Sequence, residues 1–185
     1  MRASVLVGTL VFSVALNVVL TVRAGQQRAL IDEIRTQYKP LLGQTVPAFA
    51  ARDTAGVETT IEYGGGLPTV LYVFSPGCGA CSKNADAIRA LAEGSAGRYR
   101  FVGVSLDRRG LATYLAEHPL PFPVVTDLDP STVSAYRFGG TPQTIVVSTS
   151  GTVLDTWHGA FQADQKTQIE RFFGTSMPEV AASRE

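Results

Sequence analysis

Cysteine is scarce in this chain: 185 residues hold two, Cys78 and Cys81. So few exclude a disulfide framework, and stability has to come from packing. Histidine is as scarce, with His118 and His158 each isolated. A zinc site needs four ligands, so only a site shared across a dimer is left open. An excess of one charge is also lacking, since 16 basic residues balance 16 acidic ones. No basic surplus marks a nucleic-acid surface, and no nucleic-acid partner is expected. Internal repeats and low-complexity tracts are absent. Gly64-Gly65-Gly66 has no helix after it, so it does not read as a phosphate cradle. The length allows one ordinary domain with a real core, plus an appendage.

The two cysteines are placed for chemistry. Cys78-Gly79-Ala80-Cys81 follows the apolar strand candidate Thr69–Phe74 and a short turn, and precedes a helical pattern over 82–92. A helix N-terminus offers unpaired backbone N–H groups and partial positive charge, which favour a thiolate at the first cysteine. The thiolate is the species that attacks disulfides. Cys81, three positions on along the same helical face, can resolve a mixed disulfide formed at Cys78. A structural disulfide closing so short a loop would add little against unfolding. Redox chemistry is the favoured reading.

The amino terminus carries a second signal. Positions 3–22 hold no charged residue and are rich in Val and Leu, with Arg2 and Arg23 at the borders. Twenty helical residues span about 30 Å, the thickness of a hydrocarbon core. The run exceeds the apolar stretch of a usual signal peptide, so it reads as an uncleaved single-span anchor despite Val22-Arg23-Ala24. No cysteine comes after it to take a lipid. A count of basic residues (Arg2 before the run; Arg23, Arg28, Arg35 and Lys39 after) would keep the rest in the cytoplasm. The two-residue tail ahead of the run instead suits a signal-anchor that exports the chain downstream of it, and the expectation is an extracytoplasmic domain on a cytoplasmic membrane. The expected organisation is 1–22 anchor, 23–41 helical stalk, 42–173 folded domain and 174–185 flexible tail.

Within the domain, Val46-Pro47-Ala48-Phe49 and Asp53-Thr54-Ala55-Gly56 read as an extended piece and a turn. A strand over 100–106 and a helix over 109–117 come next, broken by His118-Pro119-Leu120-Pro121-Phe122-Pro123. Asp129 and Pro130 read as N-cap and first helical residue of a helix to Tyr136. Strands over 144–148 and 152–157 flank the hairpin signal Ser150-Gly151, and a helix over 163–173 closes the domain. Alternating strands and helices ending in a hairpin describe an α/β fold with a mixed central sheet flanked by helices.

Val46-Pro47-Ala48-Phe49, the strand before Cys78-Gly79-Ala80-Cys81, Gly140-Thr141-Pro142, and the Ser150-Gly151 hairpin leading to His158-Gly159 together resemble the membrane-anchored thioredoxin-like proteins of the TlpA/ResA type, over roughly 42–173. The resemblance implies a thioredoxin-like fold, a cis bond before Pro142 beside the sulfurs, and a Thr141 backbone that pairs with an extended substrate chain. It implies reduction of apocytochrome c or other exported cysteines, with a membrane-bound redox partner supplying electrons and no cofactor. The site residues it carries over are Cys78 and Cys81 for catalysis and Thr141 and Pro142 for substrate binding. An oxidase or isomerase would use the same parts at another potential.

Three departures stand out. Tyr72 occupies the place where thioredoxins hold an acid, Asn84 the place of a glutamate in several TlpA/ResA-type reductants, and Gly77 a place often aromatic. Neither usual proton acceptor is therefore at its usual position. Two other chemistries compete. A peroxiredoxin asks for proline and threonine where Leu71 and Ser75 stand. A thioredoxin-like copper chaperone could use Cys78, Cys81 and His158. Lys83, Asp107, Arg108, Arg109, His118, Asp127 and Asp129 read as surface, turn or cap residues, and Trp157 and Phe161 as core.

Overall fold

The computed structural model describes residues 41–178 and, ahead of them, Ser13, Asn17, Thr21 and Arg23. The chain divides into two compact units, Met1–Pro40 and Leu41–Glu185. The expected anchor over 1–22 and the stalk as far as residue 40 otherwise lie outside the described residues, as does the tail beyond 178, while Leu41, the last residue of the expected stalk, is buried in the second unit. Among the described residues, no helix is long and apolar enough to cross a membrane.

The second unit runs β1 (Phe49–Asp53), β2 (Glu58–Ile61), β3 (Thr69–Phe74), α1 (Gly79–Gly94), β4 (Arg100–Ser105), α2 (Leu111–Glu117), β5 (Val124–Thr126), α3 (Pro130–Ala135), β6 (Gln143–Val147), β7 (Val153–His158) and α4 (Ala163–Phe173). The strands form one mixed seven-stranded sheet in the order β2-β1-β5-β4-β3-β6-β7. β3 pairs in parallel with β4 and antiparallel with β6, and all six of its residues are buried. A strand covered on both faces reads as a continuous apolar run, as Thr69–Phe74 does.

Side chains alternate across the sheet. Val70, Tyr72 and Phe74 point into one core with Ile88 and Leu91 of α1, Tyr114 of α2, and Ile169 and Phe173 of α4. Leu71 and Val73 point into the other, with Val102, Val104, Ile145, Val147, Tyr136 and Phe138. At the far end, the Tyr136 hydroxyl meets the Tyr63 hydroxyl and donates to the Pro47 carbonyl.

Several expectations are corrected. The extended piece and turn after Val46 form a hairpin, β1 on β2, with Asp53 Oδ1 accepting the Val57 N–H at 2.8 Å across the turn. β5 is a strand that the prolines before it hide. It has three residues and pairs with both β4 and β1. The start of the expected flexible tail is docked: Met177 is buried, its N–H donates to Glu170 Oε1 at 2.7 Å, and Lys166 Nζ donates to the Pro178 carbonyl at 3.1 Å. His118 is no loop surface residue, because it caps α2 and packs its ring on Tyr114 at 4.9 Å.

Candidate active site

β3 delivers the chain to the edge of the core, and Ser75-Pro76-Gly77 turns it into α1. The Cys78 N–H donates to the Ser75 carbonyl at 3.0 Å, closing that turn. Cys78 is the N-cap of α1, with extended backbone at φ −89° and ψ 106°. N-cap side chains are usually oxygen acceptors for the first free N–H groups. Here sulfur does that work, since Cys78 Sγ accepts the Cys81 N–H at 3.3 Å. The helix expected from Ser82 starts at Gly79, so both cysteines belong to its first turn.

The second wall comes from β6. The β3–β6 register sets Val73 opposite Gln143, which brings the residues just before Gln143 next to the cysteine turn. The Thr141–Pro142 peptide bond is cis. As a thiol, Cys78 Sγ donates to the Thr141 carbonyl at 3.3 Å. A third segment locks the other two. Gly159, at φ 82°, donates its N–H to the Pro142 carbonyl at 2.8 Å. The Gly159 carbonyl accepts from Asn84 Nδ2 at 3.2 Å, and Asn84 Oδ1 accepts the Phe161 N–H at 2.9 Å. Helix, cysteine turn, Pro142 loop and the 159–161 loop thus form a closed ring of hydrogen bonds. Asn84, in the place of the expected proton acceptor, is a buried staple in that ring.

The two sulfurs differ in environment. Both cysteines are free thiols, Cys78 part-buried and Cys81 fully buried. Burial pushes the Cys78 thiol up. Hydrogen bonds from the Cys81 thiol, the Thr141 hydroxyl and the backbone N–H groups of Cys81 and Ala80 outweigh it, and its pKa falls below the ordinary cysteine value. Burial and the hydrogen bond with Cys78 push Cys81 up to about 12. One sulfur is therefore poised to ionise and face a partner, while the other is held protonated behind it.

Beneath the pair lie two phenols. Tyr72, fully buried in β3, donates to the Cys81 carbonyl at 3.1 Å. Tyr114 of α2 is buried 5.0 Å from Phe74, ring to ring, and its hydroxyl has no hydrogen-bond partner. Sequence reasoning singled out position 72 and missed Tyr114, which shares only an apolar helix face with its neighbours. His158 ends β7 opposite Gln143, its Nε2 3.3 Å from Thr156 Oγ1, and burial lowers its pKa. Among the described residues, no three His, Cys, Asp or Glu side chains gather to hold a metal, so His158 does not group with Cys78 and Cys81 as a ligand set.

A family model described as AhpC/TSA matches residues 42–156, well over half of the chain. The chain belongs to the AhpC/TSA family. This AhpC/TSA-family protein has a thioredoxin-like fold, and solved structures similar to it point the same way. A Chlorobium tepidum protein assigned as the thiol:disulfide interchange protein DsbE superposes with a TM-score of 0.62 at 23% identity, over 72% of this chain and 96% of that one. The MTB dsbF structure, in its mixed oxidized and reduced forms, gives 0.57 at 26%, over 72% and 98%. StoA from Bacillus subtilis gives 0.55 at 18%, over 70% and 98%. No curated protein matches the chain in sequence.

Proposed function

We propose that this protein is a thiol–disulfide oxidoreductase of the TlpA/ResA type, anchored in the cytoplasmic membrane by residues 1–22, that reduces disulfides of exported proteins. The observation that carries the reading is the asymmetric pair: an accessible, easily ionised Cys78 at a helix N-terminus against Thr141, with a protonated Cys81 buried behind it. Cys78 thiolate attacks a substrate disulfide, forming the Cys78–substrate bond and expelling one substrate thiolate. Cys81 then gives up its proton and attacks Cys78 Sγ. The Cys78–Cys81 disulfide forms, the second substrate sulfur leaves as a thiolate and takes up a proton, and two electrons have passed to the substrate. Once Cys78 has ionised and no longer donates to its carbonyl, the backbone of Thr141 offers an extended substrate chain a strand-like partner. A membrane-bound reductase returns the pair to the dithiol.

The direction of electron flow is set by the groups that stabilise Cys78. Its named donors are thiol, hydroxyl and backbone groups, and the reading takes the pair as a reductant. The DsbE, dsbF and thiol-disulfide oxidoreductase neighbours support the same class of chemistry. A peroxidase is less well supported. Leu71, in the place of its proline, faces the core opposite the cysteines, and Ser75 meets Cys78 through its carbonyl.

Equilibration of the pair in defined thiol buffers, with alkylation trapping, tests the reading. A potential near or below about −270 mV is expected, and one near about −120 mV would make the protein an oxidant. In cells, the Cys81→Ala variant should accumulate mixed disulfides through Cys78. Labelling of Cys78 in intact cells by a membrane-impermeant maleimide tests the location, and labelling only after lysis would put the domain inside.

A further inference from the structure

We propose that Gly77 and Gly79 are specificity-determining residues of the dithiol reaction, keeping the approach to Cys78 open for protein disulfides whose cysteines are flanked by bulky side chains. The inference rests on the dithiol mechanism above and names the substrate class of the same site.

Glycine loses more conformational freedom on folding than any other residue, so its presence calls for a reason. Elsewhere in the domain the fold supplies one. A methyl at Gly103 would meet Val124 at 2.9 Å, and one at Gly151, where φ is 82°, would lie 3.0 Å from the Val46 carbonyl oxygen. Neither reason holds beside Cys78. Gly77 and Gly79 both lie outside the positive-φ region, and a Cβ on either would meet nothing within 4 Å. Gly77 is the third residue of the turn that the Cys78 N–H closes on Ser75, and without a positive φ that place accepts most residues. Gly79 opens α1, where glycine is a poorer helix former than alanine. Both glycines are exposed, and Cys78 between them is half-buried. The space over them is left for something outside the chain.

The geometry of the mixed disulfide says what enters that space. A disulfide holds the Cα atoms of its two cysteines about 5.5 Å apart. Each of those Cα atoms has a chain neighbour about 3.8 Å away on either side. The residues flanking the substrate cysteine are therefore set against Gly77 and Gly79 as soon as Cys78 has attacked. The opposite wall is fixed, since Cys78 Sγ stands 3.3 Å from the Thr141 carbonyl oxygen. With only hydrogen atoms on the glycine side, flanking residues as large as tyrosine are accommodated. A leucine at either position would take that room from them.

The test uses two disulfide-linked peptide dimers of equal charge, built from acetyl-Lys-Tyr-Cys-Tyr-Lys-amide and acetyl-Lys-Gly-Cys-Gly-Lys-amide. The reduced full chain passes two electrons to each dimer, the Cys78–Cys81 bond forms, and two peptide thiols leave, counted by chromatography after an acid quench. The readout is the ratio of the two rates, Tyr-flanked over Gly-flanked. The unsubstituted protein is expected to keep this ratio within about threefold of one. In Gly77→Leu and in Gly79→Leu the ratio is expected to fall about tenfold, and in Gly77→Ala about twofold to threefold. Gly65→Leu, equally open but ahead of β3 at the other end of that strand, should leave it unmoved. An unmoved ratio in both leucine variants overturns the proposal, and so does a tenfold preference of the unsubstituted protein for the Gly-flanked dimer. A melting temperature more than about 5 °C lower in Gly77→Ala also overturns it, because the fold would then have its own need for glycine there. The chromogenic disulfide 5,5′-dithiobis(2-nitrobenzoate) checks the underlying mechanism separately. It releases one coloured thiolate when Cys78 attacks it and a second when Cys81 attacks the Cys78 mixed disulfide. If the unsubstituted protein gives no second release, the dithiol mechanism itself fails, an outcome distinct from the others.

Discussion

Replacing Asn84 by alanine separates a structural from a chemical role at the position where several TlpA/ResA-type reductants keep a glutamate. The side chain is 1% exposed and holds two backbone groups of the 159–161 loop, the Gly159 carbonyl and the Phe161 N–H. Alanine leaves the Phe161 N–H buried without an acceptor, a cost of about 1–3 kcal/mol, and the Gly159 carbonyl adds a smaller loss. A total of about 2–4 kcal/mol lowers the melting temperature of a domain this size by roughly 6–15 °C. Calorimetry of the reduced protein reads the shift directly. The first thiolate release from the chromogenic disulfide should stay within about twofold, because Cys78 keeps its helix N-terminus and Thr141. A melting shift under about 2 °C would refute the staple, as would slow resolution by Cys81 at undiminished stability, which would make Asn84 a participant in proton transfer.

Other substitutions probe the site and its supports. Thr141→Val removes a hydroxyl that stabilises the Cys78 thiolate and should raise the Cys78 pKa by about one unit, read from the pH profile of iodoacetamide alkylation in a Cys81→Ala background. An unmoved profile would leave stabilisation to the backbone. The pair also makes stability depend on redox state at alkaline pH. Cys81 binds its proton more tightly folded than unfolded, so its contribution is complete below the ordinary cysteine value and is lost as pH rises from there towards about 12. Cys78, shifted the other way, adds stability only as pH climbs through its lowered folded value towards the ordinary one, and gives that up on acidification. Between about pH 9 and 11 the dithiol should therefore lose melting temperature faster than the disulfide form, in which neither sulfur titrates. Parallel curves for the two forms would contradict the assigned shifts. Gly103→Ala should cost about 1–3 kcal/mol in urea unfolding, because the new methyl meets Val124 at 2.9 Å and Phe122 and Phe74 at 3.4 Å.

The legible parts of the fold were those whose pattern is local. α4 was bounded to the residue because its apolar positions recur at helical spacing and Gly174 stops it in a left-handed conformation. Cys78 and Cys81 were legible because a strand, a turn and a helix start are all written within a dozen residues. Thr141 and Pro142 became legible only through resemblance, since the pairing of β3 with β6 brings together residues more than sixty positions apart. β5 escaped because three residues are too few for a period, and the hairpin of β1 and β2 because alternation there is short and half solvated. Asn84 and Tyr114 escaped for a different reason. A buried amide and a phenol on an apolar face declare nothing until the 159–161 loop and β3 are set against them.

The place of β3 in the sheet has a consequence for time. Strands with neighbours on both sides and cover on both faces exchange their amide hydrogens mainly through global opening, whereas loops exchange through small local ones. The dithiol begins four residues beyond the end of such a strand. Its sulfurs can pass between two covalent states on the timescale of encounters with substrate, while the amides under them keep the timescale of the whole domain. Successive redox cycles therefore run on a scaffold that has no need to open between them.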